Sequence, residues 1–306
     1  IDALVHAGAG WKNGATISYS FGPASSGSYA WTDIEKQAFA NAFQVYENIC
    51  NLHFVEGTFI PNEYECTNMV LYKVAGSTWQ KPSSGGTVLA DFNMPTNGFN
   101  EYYGPLFGRF NKDFSAWTDL TPGGLGFDTI IHELGHGLGL DHPFDASPTF
   151  PGVSDYKNLG DYKLDQGIWT VMAYKHGWPN TSRGDETYGF HYGYSKTPMT
   201  FDVAALQALY GANTNYQSGD NTYTLPTVEV SGTGWQCIWD TGGNDTISNA
   251  DSSIACTINL NAYPKTGGVT SEPYVSYAWG AGIAGGFTIA DGVVIENAIG
   301  GSGSDV

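Results

Sequence analysis

The stretch His132-Glu-Leu-Gly-His136-Gly-Leu-Gly-Leu-Asp-His142 places three imidazoles and a catalytic-type carboxylate within eleven residues. On an α-helix, residues four apart lie about 40° apart around the axis and about 6 Å along it, so His132 and His136 can share one ion. Glu133 follows the first of them and leans off the ligand face while staying beside it, where a base that activates water belongs. Gly139 lets the chain leave the helix with positive φ, and the turn returns His142 as a third ligand. Three protein nitrogens leave one coordination position open, which separates a catalytic zinc from a structural one. Glycines at 135, 137 and 139 each cost a helix up to about 1 kcal/mol relative to alanine, so helicity alone does not select this segment. The plainer alternatives are histidines that merely pack or face solvent, and a zinc site that binds without cutting.

Around this stretch the chain has 306 residues, enough for a large core and two domains. Its 30 acidic against 12 basic residues give a formal charge of −18, which argues against nucleic acid and anionic membrane surfaces as partners. Excess carboxylate suits calcium binding and an extracellular medium, although a solvated acidic surface explains it equally. Scarce lysine and arginine with abundant glycine, tyrosine and tryptophan favour loops and β-structure. No apolar run approaches a membrane span, and Ile1-Asp-Ala-Leu-Val-His6 lacks the regions of a signal peptide. The sequence is therefore expected to be a mature form, with any leader or propeptide outside it. The cysteines fall into two local couples, Cys50 with Cys66 and Cys237 with Cys256. Two local disulfides are expected; three connectivities are formally open, and four reduced buried thiols are the alternative.

Alternation over Thr16–Phe21 predicts a strand, and Thr32-Asp-Ile-Glu35 is a capping box opening an amphipathic helix with Ile34, Phe39, Phe43, Tyr46 and Ile49 on one stripe. Leu52–Val55, Met69–Val74 and Thr87–Phe92 read as further strands, whereas residues 93–126 show no period and read as irregular. The helix carrying the histidines is expected from Phe127 or Asp128 to Gly139. A second strong helix spans Phe201–Tyr210, with Thr200 as N-cap and Gly211 as stop. Past Asn213 the composition turns to Thr, Ser, Gly, Asn and Val, with short runs such as Ile254–Ile258 and Gly292–Glu296, so a domain boundary falls near 212–216.

Together, His132, Glu133, His136, Gly139 and His142 resemble the extended zinc motif of the metzincin peptidases, and Val171-Met-Ala-Tyr174 resembles their methionine turn. Met172 would be the turn methionine, a packing residue and not a ligand. A tyrosine two positions further is similar to the serralysin and astacin branches, where it is an additional zinc ligand that swings to the oxyanion; the resemblance implies this role for Tyr174 and sets matrixins aside. Gly139-Leu-Asp-His-Pro143, Asp202-Val-Ala-Ala-Leu-Gln-Ala-Leu-Tyr-Gly-Ala-Asn213, Trp239-Asp-Thr-Gly-Gly-Asn-Asp-Thr246 and Ile295-Glu-Asn-Ala-Ile-Gly-Gly-Ser-Gly303 look like serralysins in matching order. An astacin-like peptidase fits the cysteines and the tyrosine but not these last phrases.

The resemblance implies an α+β fold: a metzincin catalytic domain over residues 1–213, with a mixed sheet, active-site helix and methionine turn, then a small all-β calcium-binding domain over 214–306 without a full β-roll array. It implies a secreted zinc-dependent endopeptidase acting on extended protein or peptide substrates. One zinc would be held by His132, His136, His142 and Tyr174, with Glu133 and Tyr174 catalytic. One or more structural calcium ions would be held by Asp240, Gly242, Gly243, Asp245 and Glu296, oxygen donors of the kind a hard cation takes. A monomer is expected, with a propeptide or proteinaceous inhibitor outside this chain as a further partner. Three departures stand out. Val294 replaces the family's threonine, the β-roll array and export signal are missing from the sequence, and the four cysteines point to an oxidising export route. The rival class is a calcium-dependent extracellular binding module with a vestigial zinc site. Thr87–Phe92 is the candidate edge strand for substrate.

Overall fold

The computed structural model describes the chain apart from residues 1, 7–9, 26, 61–66, 81–85, 96–104, 146, 180, 182–188, 264–273 and 281. Strand β1 (Thr16–Phe21) buries Ile17 and Tyr19 and exposes Thr16, as its alternation requires. After the short β2 (Ser28–Tyr29), helix α1 (Asp33–Ile49) starts on the predicted box: Thr32 Oγ1 accepts from the Glu35 amide at 3.3 Å, and Glu35 Oε2 accepts from the Thr32 amide at 2.8 Å. The apolar stripe seats on the sheet, with Phe43 stacked 4.1 Å from Tyr19 and Phe39 edge-on to Phe110 at 4.8 Å. Such pairs contribute about 0.5–1.5 kcal/mol each beyond their burial. Ile34 leaves the stripe, being 77% exposed in the first turn.

Five strands run in the order β3 (His53–Glu56), β1, β4 (Met69–Val74), β6 (Leu106–Asn111) and β5 (Ala90–Phe92), with β2 joined to the end of β4. The first four are parallel, and β5 closes the edge antiparallel to β6. The region expected to be irregular thus supplies an interior strand. Leu106 and Phe110 are buried on β6 while Arg109 points out to pair with Asp91 on β5, but Gly108 interrupts the apolar alternation that would have announced it. Of the expected Thr87–Phe92 only Ala90–Phe92 is strand, although the Val88 and Leu89 carbonyls also accept from Asn111 on β6.

Helix α2 (Leu125–Gly137) begins two residues before Phe127 and is buried along its whole length. The Tyr46 hydroxyl on α1 donates to the Ile131 carbonyl on α2 at 2.5 Å, locking the two helices together. Helix α3 (Thr200–Tyr210) is capped by Met199, one residue earlier than expected, because Asp202 Oδ2 accepts from the Met199 amide at 2.8 Å; it stops at Gly211, where φ is +76°.

Beyond α3 the described residues form strands and no helix. Strands β7 (Thr222–Thr224), β9 (Thr246–Ser248) and β13 (Asn297–Ile299) stack in parallel, β8 (Trp235–Ile238) runs parallel to β12 (Gly286–Ile289), and β10 (Cys256–Thr257) pairs antiparallel with β11 (Tyr277–Ala278). Residues 292–296 are not a strand, and the run from Ile254 to Ile258 narrows to β10. One hydrophobic cluster runs from Ala3 to Ile295, with the fully buried Trp235 edge-on to Trp178 at 5.7 Å. No described helix is long and apolar enough to cross a membrane.

The expected Cys237–Cys256 disulfide is not formed; both are free, buried thiols. They lie in different two-stranded sheets and face different partners: Cys237 Sγ is 3.6 Å from Thr200 Oγ1, whereas Cys256 lies beside Asp305, whose Oδ1 accepts from its amide. Burial pushes the Cys237 thiol up to about 12. Cys50 is likewise a free buried thiol, and its expected partner Cys66 lies outside the described residues.

Candidate active site

The spacing read from the sequence closes in space. His132 Nε2 and His136 Nε2 lie 3.1 and 3.0 Å from His142 Nε2, and among the described residues these three form the group of His, Cys, Asp or Glu side chains arranged to hold a metal. Each ring is anchored through its other nitrogen. His132 Nδ1 is 2.7 Å from the Val171 carbonyl, His136 Nδ1 2.7 Å from the Leu140 carbonyl, and His142 Nδ1 2.8 Å from Asp145 Oδ2. A carbonyl or carboxylate only accepts, so each Nδ1 carries the hydrogen and each Nε2 presents a lone pair to the common point. Burial holds His132 and His136 below the usual imidazole range and, with His132 adding to it, His142 down to about 2. Three neutral nitrogens in contact repel one another unless a cation sits between them. Their separations are close to the roughly 3.3 Å edge of a tetrahedron with zinc–nitrogen arms of about 2.0–2.1 Å, so the donor set fits zinc.

Local structure explains the glycines. A Cβ on Gly135 would lie 2.8 Å from Met172 Sδ, so the helix must present bare backbone where the methionine packs. Gly139 has φ +86°, the conformation that turns the chain out of α2 toward His142. The N-terminal segment braces that turn: the His6 amide donates to the Gly139 carbonyl at 2.9 Å, the Asp141 amide to the Leu4 carbonyl at 2.8 Å, and His6 Nδ1 pairs with Asp141 at 3.0 Å.

Sequence reasoning missed the residues that hold this frame. Asp202, fully buried on α3, accepts from Thr170 Oγ1 at 2.6 Å, the Val171 amide at 2.7 Å and the Met199 amide. The same residue, Val171, receives His132 Nδ1 through the carbonyl of its next peptide group, so one buried carboxylate pins the turn that orients a candidate ligand. Asp128, one helical turn before His132, receives His176 Nδ1 at 2.9 Å and the Ser195 amide at 3.2 Å. A carboxylate four residues ahead of the first histidine was the available signal for Asp128; Asp202 was marked as an acid in the first turn of α3, but nothing local marked its reach to Thr170 and Val171.

Glu133 is buried beside the cluster, and its Oε2 has no hydrogen-bond partner. Burial, with Asp91 adding to it, pushes this carboxyl up to about 8. Tyr174 is 47% exposed, its ring 4.7 Å from His142 and 5.8 Å from His132; partial burial, then the Glu133 and Asp145 charges, push its hydroxyl up to about 12. Met172 is fully buried.

The acidic turn in the C-terminal strands is built with the opposite backbone polarity. Asp240 Oδ1 accepts from the Gly242 amide at 3.0 Å, Asp245 Oδ1 from the Asn221 amide at 2.8 Å, and Glu296 Oε2 from the Asp245 amide at 2.7 Å. Asp220, absent from the sequence reading, joins them by accepting from the Asn244 amide at 3.0 Å. Asp245 Oδ2 is buried without a partner; burial and the Asp240 and Glu296 charges push that carboxyl up. Gly243 sits so close to the Gly219 carbonyl that a Cβ would lie 2.4 Å from its oxygen. Val294 turns its side chain to solvent, 68% exposed.

Residues 199–306 match the family described as Peptidase M10 serralysin C terminal. The chain is 29% identical to a serralysin of Photorhabdus luminescens over 90% of its own length and 52% of that protein. It is 29% identical to serralysin B of Dickeya chrysanthemi over 95% of its length and 58% of that protein. It is 32% identical to the metalloprotease AprA of Pseudomonas entomophila, over 73% and 44% respectively. The chain thus spans about half the length of the curated relatives it matches. A solved structure of myroilysin overlays with a TM-score of 0.41 at 17% identity, covering 69% of this chain and 99% of that one. The chain is serralysin-like along most of its length, and its residues 199–306 are a serralysin-type C-terminal region.

Proposed function

We propose that this chain is a secreted zinc-dependent endopeptidase that hydrolyses peptide bonds in extended protein substrates. The observation that carries the reading is the convergence of three Nε2 lone pairs, each fixed by a hydrogen bond at Nδ1, beside a buried Glu133 oxygen without a partner. His132, His136 and His142 would hold the metal, with Tyr174 as the additional ligand. When bound, zinc supplies Lewis acidity that polarises a carbonyl and lowers the pKa of a nearby water to about 7. Glu133 would take a proton from that water and return it to the leaving amine. The Tyr174 hydroxyl, held protonated by its surroundings, would donate to the oxygen on which charge develops, a contact worth about 3 kcal/mol by mutational precedent. Substrate would lie along β5, the antiparallel edge of the sheet, packed against α2.

On the same reading, residues 1–213 form the catalytic domain with Met172 as its methionine turn, and residues 214–306 a calcium-stabilised β-domain. Asp240, Gly242, Gly243, Asp245 and Glu296 are its proposed calcium ligands, and the unpartnered Asp245 oxygen supports a cation there. On this reading the protein is extracellular and monomeric; no described helix is long and apolar enough to cross a membrane. The test is hydrolysis of casein: activity abolished by a chelator and restored by stoichiometric zinc is expected. Protein that binds one zinc per chain yet leaves casein intact would point to the calcium-dependent binding module instead.

A further inference from the structure

The rim of the three-histidine cluster carries an aromatic surface that the chemistry above leaves largely unused. Phe144 lies parallel to His142, with ring centroids 4.8 Å apart and planes 9° apart. Tyr174 meets Phe144 at 5.0 Å and 66°, and Tyr156 meets Phe144 and Tyr174 at 6.3 and 6.2 Å. Phe144 is half-buried, while Tyr156 and Tyr174 are 40% and 47% exposed. A contiguous apolar surface left in water next to a reactive cluster is the property of a binding face, because single exposed aromatics are common but packed groups are not.

Ring geometry selects the occupant. The three rings meet edge-on at 5.0–6.3 Å, each packed on the other two, which makes a continuous platform. The cation position over Tyr156 is already filled by Lys157 Nζ, 5.3 Å from its centroid, and the nearby Asp145 carboxylate is tied to His142. A neutral, flat or bulky side chain therefore suits this surface, and a lysine or arginine does not.

We propose that Phe144, Tyr156 and Tyr174 form a platform for an aromatic or large aliphatic substrate side chain flanking the scissile bond, so that this wall sets the cleavage preference. The proposal rests on the peptidase reading above. Tyr156 does not touch a histidine of the cluster through any ring contact, and Phe144 reaches only His142, so the wall can be altered while the metal anchors stay in place.

The experiment maps cleavage sites of the zinc-loaded protein on a peptide library, then compares two matched peptides with Phe or Ala at the preferred flanking position. The parent is expected to favour Phe in kcat/KM by about tenfold or more. Tyr156→Ser and Phe144→Ser should bring the ratio to within about threefold, with kcat/KM on the Ala peptide and zinc content nearly unchanged, while Phe144→Leu retains most of the preference. A parent that cleaves both peptides alike overturns the proposal. So do variants that lose both activities together, since that pattern belongs to a ring that merely packs on His142. Failure to cleave any peptide would sink the peptidase reading itself, an outcome distinct from cleavage without preference.

Discussion

The two polar centres of this molecule use the backbone in opposite senses. Around the histidines, main-chain carbonyls of Val171 and Leu140 accept hydrogens from imidazoles, which leaves neutral lone pairs turned inward. Around the acidic turn, amides of Asn221, Gly242, Asn244 and Asp245 donate to carboxylates, which uses up lone pairs and still leaves one Asp245 oxygen without a partner. The first arrangement orients neutral nitrogen donors and, apart from the Asp145 carboxylate that anchors His142, is rigid without charge. The second gathers Asp220, Asp240, Asp245 and Glu296, whose mutual repulsion grows as they approach. A preorganised nitrogen site and a charge-dense oxygen site thus follow from the polarity of the peptide groups that hold them.

The comparison breaks most sharply at Glu133, which belongs to neither scaffold. Replacing it with alanine removes no anchor from the histidines, so zinc content should stay at parental level while kcat on casein falls by about 10²–10⁴. Elemental analysis beside a rate measurement checks this. A Glu133→Ala protein that holds zinc and cuts at the parental rate removes Glu133 from the mechanism.

Asp202 tests whether the histidine scaffold depends on a residue outside the motif. Its removal by Asp202→Ala leaves the Thr170 hydroxyl and the Val171 and Met199 amides unsatisfied in a dry interior, a cost of about 3–5 kcal/mol. Through the Val171 carbonyl the His132 ring loses its fixed orientation, and zinc affinity should drop about 10–100-fold in a chelator competition. Loss of stability with zinc affinity untouched would show that the anchor on His132 is independent of Asp202.

How much of this could be read from the chain differs between the two centres for a physical reason. His132, His136 and His142 sit on one helix and its exit turn, so helix geometry and a single glycine bring them together, and local spacing carries the information. Glu35, Thr32, β1 and β4 were legible for the same reason, as caps and periods act within a few residues. Strand β6 was not, because its partners β4 and β5 define it and Gly108 breaks its alternation. The Asp202 link spans 31 residues to Val171, and the Glu296 contact spans 51 to Asp245, distances over which no local pattern operates; only the family resemblance put Glu296 and Asp245 in one site. The disulfide expectation failed likewise: nearness of Cys237 and Cys256 in sequence did not put them in the same sheet.

The oxygen centre is sharpened by calcium itself. If the acidic turn holds the ion, calcium at about 100 times its dissociation constant adds about 2.7 kcal/mol to the folded state, seen as a rise in Tm. Asp245→Asn should remove most of that rise while leaving zinc content unchanged. A parent whose Tm ignores millimolar calcium would remove the ion from this turn and leave the four carboxylates as a hydrogen-bonded loop.

The smallest expected effect lies on the histidine side, at a carboxylate that lacks even the amides enjoyed by the acidic turn. Asp165 is fully buried just before the methionine turn, neither oxygen has a partner, and burial pushes it up to about 7 against a slight opposing pull from Lys175. Its folded pKa is raised above the unfolded value of about 3.9, so the folded state binds its proton more tightly. The favourable contribution is therefore complete below about pH 4 and is lost as pH rises toward and through 7. Asp165→Asn cannot ionise and escapes that loss, so its stability relative to the parent should improve between pH 5 and pH 8 by on the order of 2 kcal/mol; the cost of an amide that also lacks partners is the same at both pH values and drops out of the difference. Thermal unfolding of both proteins at the two pH values measures the difference. Asp245→Asn, whose carboxyl already accepts the Asn221 amide, should show a weaker trend of the same sign. Equal slopes for the two variants would mean that backbone amides do not distinguish the two centres after all.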